Sequence, residues 1–192
     1  MDLKDFKNIQ HFARDNGYEG NADFAHVAKE YELNAHTRYV EGTCDDVGMD
    51  YVIYTDGGYS SKANIGAYAY VMLNGKGKLV KQQAKKMIGE TNNRAEIKAI
   101  LNALYDLPED ATYVCVVSDS QYALKTCAGI WARKSNTDLF DWLDAYLKRR
   151  PFDITFRWVR GHSGDQWNEK CDELCNQAAG MDLNAEYSKY KK

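Results

Sequence analysis

Residues 51–80 read YVIYTDGGYSSKANIGAYAYVMLNGKGKLV. Residues 51–54 are a short apolar run, and Asp56-Gly57-Gly58 is the turn signal expected to end it. Residues 65–73 are apolar at nearly every position, the pattern of a strand covered on both faces. Asn74-Gly75-Lys76-Gly77 is a hairpin turn signal. The lysine-rich stretch after it, ending near Ile88, predicts another strand. Three strands in succession are therefore expected.

Working outward, residues 92–106 place Ile97, Ile100, Leu101 and Leu104 on one helical stripe. Residues 113–117 are another two-faced apolar strand, and residues 120–127 and 137–149 have helical patterns. Residues 154–159 put Ile154, Phe156 and Trp158 on one face of a strand. A last helix over residues 167–179 spaces Trp167, Cys171, Leu174, Cys175 and Ala178 helically. The order βββαβααβα predicts an α/β fold with a mixed five-stranded sheet. Upstream, Phe6, Ile9, Phe12 and Ala13 mark one helix over 3–15. Phe24, Val27, Ala28 and Tyr31 mark a second over 21–31, with Asn21 placed to cap it. A third turn is expected near 34–40, and residues 42–48 read as a linker. The expected organisation is an acidic helical extension over 1–48, a main domain over 49–182 and a C-terminal tail over 183–192.

With 44% hydrophobic and 28% charged residues, the composition is that of a soluble globular protein rather than a disordered or membrane-spanning one. No stretch reaches the ~20 apolar residues of a membrane helix, so no membrane partner is expected. The N-terminus lacks a secretory pattern, and five scattered cysteines do not make a disulfide framework. A reducing, cytoplasmic location and a monomer are expected. The net charge of −3 is unevenly spread. Residues 1–48 hold five basic and ten acidic residues, leaving 20 basic and 18 acidic residues in the remainder. An acid-neutralising cation would leave that remainder open to phosphates.

Four acids stand in distinct frames: Asp56 in Tyr54-Thr55-Asp56-Gly57-Gly58, Glu96 in Thr91-Asn92-Asn93-Arg94-Ala95-Glu96, Asp119 in Val117-Ser118-Asp119-Ser120-Gln121, and Asp172 in Asn168-Glu169-Lys170-Cys171-Asp172. Each has an ordinary reading alone: a turn residue, a helix-surface acid, an N-cap, a solvated neighbour of a buried cysteine. Together, at strand ends and on helices, they can converge. Converging carboxylates repel unless cations join them, and hard divalent ions suit oxygen ligands. Two such ions about 3.5–4 Å apart are a common device for phosphodiester hydrolysis. His26 and Glu30, spaced to share a helix face, could bind zinc but read better as a surface pair. Cys171 and Cys175 belong to an apolar stripe, and no Cys/His cluster argues for zinc. Lys76, Lys78, Lys81, Lys85 and Lys86 read as the charged edge of a sheet or as phosphate contacts. Trp131, Trp142, Trp158 and Trp167 are mostly core candidates.

Across roughly residues 50–180 these motifs resemble the type 1 ribonuclease H family, in matching order and on matching elements. The resemblance implies a ribonuclease H-like fold and makes Asp56, Glu96, Asp119 and Asp172 the metal-binding, catalytic carboxylates. His162, in Val159-Arg160-Gly161-His162-Ser163-Gly164, matches the family's mobile catalytic histidine. Thr91, Asn92, Asn93, Gln121 and Asn168 match substrate-binding positions, and the backbone at Gly57 and Gly58 matches the segment that reads ribose 2′-hydroxyls. The implied activity is sequence-nonspecific endonucleolytic hydrolysis of the RNA strand of RNA–DNA hybrids by two Mg²⁺ ions, with Mn²⁺ as substitute. The implied products carry a 5′-phosphate and a 3′-hydroxyl.

Two departures qualify the resemblance. Only Ala132-Arg133-Lys134-Ser135-Asn136 separates Trp131 from the helix expected at 137, so the basic protrusion of many bacterial members is missing. Residues 1–48 lack the Gly-, Lys- and aromatic-rich signature of a hybrid-binding domain. They are expected to dock a protein partner, or else to handle substrate in place of the protrusion. Met1 and the lack of polymerase motifs favour a free-standing enzyme over a piece of a polyprotein. A DNA-acting nuclease on a related scaffold and a non-catalytic binding module are the competing functions. The Thr-Asn-Asn-Arg frame and His-Ser-Gly loop disfavour the first, and the full carboxylate set disfavours the second.

Overall fold

The structure, a computed structural model, describes residues 36–42 and 48–185. The helices expected over 3–15 and 21–31, the pair His26 and Glu30, most of the linker and residues 186–192 lie outside the described residues. The elements run β1 (Thr37–Glu41), β2 (Tyr51–Ser60), β3 (Ile65–Asn74), β4 (Leu79–Ile88), α1 (Asn92–Tyr105), β5 (Tyr113–Ser118), α2 (Gln121–Cys127), α3 (Thr137–Arg149), β6 (Asp153–Trp158) and α4 (Gln166–Ala179).

The sheet has six strands, not five, in the order β1-β6-β5-β2-β3-β4. β2, β3 and β4 are antiparallel neighbours, whereas β5 joins β2, β6 joins β5 and β1 joins β6 in parallel. The added strand is β1, where a helical turn was expected near 34–40. Thr37, Tyr39 and Val40 favour extended backbone, and β6 offers an open edge that they pair with from Thr37↔Ile154 to Glu41↔Trp158. Short local patterning cannot reveal an edge contributed by residues more than a hundred positions away.

A second correction concerns Asp56-Gly57-Gly58. These residues lie inside β2 rather than in a turn, and their pairing with β3 continues to Ser60↔Ile65. The chain reverses at residues 61–64 instead, where Asn64 takes a left-handed φ of 54°. The Asn74 hairpin is as expected: Asn74 Oδ1 accepts from the Lys76 and Lys78 amides, each at 3.0 Å.

Period-2 alternation on β2 sends Ile53 to one face and Val52 and Tyr54 to the other. The Ile53 face is covered by α1, α2 and α3 through Ile97, Ile100, Leu101, Leu104, Leu124 and Trp142. The opposite face is covered by α4 through Cys171 and Cys175. Removing a side chain such as Leu101 from water contributes about 1.5–3 kcal/mol, and this two-sided burial fixes the sheet between its helices. α1 starts at Thr91, whose side chain accepts from the Arg94 amide, and α4 at Asp165, which accepts from the amides of Trp167 and Asn168. Ser120, not Asp119, caps α2, which leaves the Asp119 carboxylate free for other work. The lysine-rich β4 is an outer strand, exposed over most of its length.

Candidate metal centre and active site

β2 pairs with β5 only from Tyr51↔Val114 to Tyr54↔Val117, yet continues beside β3 to Ser60. Asp56 thus stands just past the point where β5 departs, between a parallel and an antiparallel neighbour. Such switch points open a crevice at strand ends in α/β sheets. Asp119 arrives there immediately after β5. Its backbone carbonyl accepts from the Trp158 indole Nε1 at 2.9 Å. Gly161 passes so close that a Cβ there would sit 2.6 Å from Asp119 Oδ2. α1 brings Glu96 from its second turn, and α4 brings Asp172 one turn after Asn168.

One ligand oxygen from each of Asp56, Glu96 and Asp119 can be chosen so that all lie within 4.8 Å of one another. Asp172, His162, Asn92, Gly57 and Gly58 line the same cavity. Asp56 and Glu96 are only 8% and 6% exposed, so neither charge is relieved by water. Burial, then repulsion from Asp119 and Asp172, pushes the Asp56 carboxyl well above its usual range. Burial, then Asp56 and Asp119, does the same to Glu96. Asp119 is raised by burial, while His162 pulls the other way. The Gly57 amide donates to Asp56 Oδ1 at 2.9 Å and offsets part of the cost.

The donor set fits a hard divalent cation. Glu96 Oε2 is buried and has no hydrogen-bond partner among the described residues, which would leave a costly orphan unless a ligand met it. All the clustered donors are carboxylate oxygens. The thiols of Cys171 and Cys175 donate instead to the carbonyls of Tyr54 at 3.2 Å and Asp56 at 3.5 Å, so they pack and brace the strand.

The expected substrate-binding residues divide by place. Asn92 lines the cavity and its Oδ1 accepts from the Tyr59 amide at 3.2 Å, tying α1 to β2. Thr91 is the α1 cap and Asn93 is exposed beside it. Gln121 opens α2 and accepts from Lys125. Asn168 is buried and hydrogen-bonds Asp119, which makes it a support for a carboxylate. His162 is exposed on its loop with a left-handed φ of 54°. Trp142 is fully buried, whereas Trp131 is 43% exposed.

Sequence reasoning missed Trp158 as the anchor of Asp119, having placed it among core tryptophans. It also missed Asn176, Leu183 and Asn184, which line the cavity although they lie at the end of α4 and in the stretch read as a tail. A cap-like Gly180 followed by a buried-type leucine was the available signal.

A family model described as RNase H matches residues 48–180. The chain is 39% identical over 139 residues to the ribonuclease H of Polaromonas naphthalenivorans (strain CJ2), covering 66% of this chain and 84% of that one. It is 36% identical over 154 residues to the ribonuclease H of Syntrophus aciditrophicus (strain SB), covering 70% and 84%. Among solved structures, a crystal structure of LC11-RNase H1 in complex with RNA/DNA hybrid superposes with a TM-score of 0.59 at 26% identity, covering 68% of this chain and 96% of that one. With its sheet order, its crevice of carboxylates and these likenesses in accord, the chain belongs to the ribonuclease H family and is a ribonuclease H hydrolase.

Proposed function

We propose that this chain hydrolyses the RNA strand of RNA–DNA hybrids as a sequence-nonspecific endonuclease, using two Mg²⁺ ions, or Mn²⁺ in their place, and leaving 5′-phosphate and 3′-hydroxyl ends. The observation that carries this reading is the buried triad of Asp56, Glu96 and Asp119, with an unpartnered Glu96 oxygen. Asp56, Glu96 and Asp119 would hold one ion, and Asp56 with Asp172 the other. Bound ions would activate water and stabilise charge on the leaving oxygen. His162, exposed beside Asp119, carries a proton to or from the reacting groups or the departing product.

Hybrid choice rests on the cavity rim. A hybrid shows 2′-hydroxyls on one strand of its minor groove only. The Gly57 and Gly58 backbone and Asn92 line the cavity, and together with Thr91, Asn93 and Gln121 they would offer donors and acceptors that sense ribose without reading bases. Asn168 serves through Asp119. Among the described residues no helix is long and apolar enough to cross a membrane. Cys115, Cys127, Cys171 and Cys175 are buried free thiols, which fits a cytoplasmic setting.

The test is cleavage of labelled RNA–DNA hybrid, duplex RNA and duplex DNA in Mg²⁺ by wild type and Asp56→Asn. Hybrid-only cleavage, lost in the variant, is expected. Cleavage of duplex DNA with none of hybrid would overturn the reading, and no cleavage of anything by the wild type would leave a binding module or an enzyme that needs a partner to hold its substrate.

A further inference from the structure

We propose that Asn184 is a positioning residue for Asp172, and that the segment over 181–185 forms a fourth wall of the metal centre. The proposal rests on the metal-dependent reading above. α4 ends at Gly180, whose left-handed φ of 72° lets the chain reverse. The reversed chain is fastened twice by Asn176: its carbonyl accepts from Met181 at 3.2 Å, and its Oδ1 accepts from the Leu183 amide at 2.8 Å. Leu183 is 4% exposed and packs with Ala67, Ala69, Cys175 and Ala179. It also reaches β2, where a Cβ on Gly58 would lie 3.1 Å from Leu183 Cδ1. The Asn184 amide donates to Asp182 Oδ1 at 2.9 Å, which sets the local turn. Asn184 Nδ2 then donates to Asp172 Oδ1 at 2.7 Å.

Asp172 needs such help more than its partners do. Asp56, Glu96 and Asp119 form the close triad, and Asp172 stands outside it, only partly buried on α4. A carboxylate free to rotate must lose that freedom on taking up a cation. A hydrogen bond to one oxygen fixes the rotamer and leaves the other oxygen to ligate. An amide does this without adding charge, whereas a lysine there would compete with the ion. Asn184 lies beyond the family-matched span, residues 48–180.

The experiment compares wild type with Asn184→Ala and with Asn184→Leu, which keeps the approximate shape but removes the donor without adding charge. Mg²⁺ is titrated into the hybrid-free protein and followed by NMR at the Asp172 carboxylate carbon. In parallel, hybrid cleavage is measured against Mg²⁺ concentration, and Tm in chelator checks the fold. Both variants are expected to keep their Tm and to need about 10-fold more Mg²⁺ in both assays, with maximal rate restored at saturation. Should Asn184→Ala fail to fold, Asn184→Leu decides. Variants that match wild type in Mg²⁺ response overturn the role of Asn184 while leaving the metal-dependent reading intact. A rate loss that excess Mg²⁺ does not restore also overturns it. A wild type that shows no Mg²⁺ response overturns the metal centre and this proposal together.

Discussion

Gly57 lies against Ala95 so closely that a Cβ on Gly57 would sit 2.4 Å from the Ala95 carbonyl carbon and 2.5 Å from the Glu96 nitrogen. This contact lets β2 and α1 touch backbone to backbone and so sets Asp56 beside Glu96. The glycine is a spacing device within a strand rather than part of a turn.

Gly57→Ala should therefore force the α1 start away from β2. Overpacking of this kind costs about 1–3 kcal/mol. Urea unfolding is expected to show that loss, and cleavage should fall with it because the carboxylates separate. A fully stable, fully active variant would show that the contact is slack.

Asp56→Asn removes the carboxylate shared by both proposed ions. Hybrid cleavage should drop by at least ~10³-fold in kcat with the fold preserved. Circular dichroism beside a single-turnover assay checks both statements.

In metal-free protein, the raised carboxyls of Asp56, Glu96 and Asp119 give a pH signature. Above the unfolded value of about 4 the folded protein still holds protons that the unfolded chain has released. Their contribution to stability is thus present at low pH and declines as pH rises towards the folded values. Glu90, Asp138 and Asp50 are held low by Lys98, Arg94 and the Thr112 amide respectively, and act oppositely, losing their contribution on acidification. Comparing wild type with Asp56→Asn isolates the site: the variant should gain on wild type as pH rises above about 4 in chelator. Added Mg²⁺ should reverse that ranking. Urea midpoints across the range are the measurement, and a difference independent of pH would contradict the electrostatics.

His162→Ala should be milder than Asp56→Asn, on the order of 10²-fold in rate, because water can replace a proton carrier in part. Equal losses in the two variants would mean that His162 and Asp56 do not divide the roles as proposed.

Arg133 holds the short connection that stands where a basic protrusion is absent. It ion-pairs with buried Asp144 at 2.6 Å and donates to the carbonyls of Thr126 and Cys127. Arg133→Ala removes a partner of buried Asp144 and two bonds to backbone carbonyls, so a loss of about 3–5 kcal/mol is expected by chemical denaturation. An unchanged midpoint would show that the loop holds without it.

Apolar runs, turn signals and helical spacing in the sequence marked β2 to β6 and all four described helices, because these are local properties, although β2 was expected to end at a turn that lies inside it. The four framed acids were legible through their local frames: Asp56 and Asp119 follow apolar runs, Glu96 lies in the second turn of α1, and Asp172 lies within α4 beside the apolar stripe of Cys171 and Cys175. What only the tertiary structure decided is long-range. Thr37–Glu41 became a strand because β6 presents an open edge. Gly57 and Gly58 stay extended because Ala95 and Leu183 come up against them. Asn168 turns to Asp119 and Asn184 to Asp172 because α4 and its reversal carry them there. A residue's side-chain type limits the bonds it can make, but its partner is chosen by packing between segments distant in the chain.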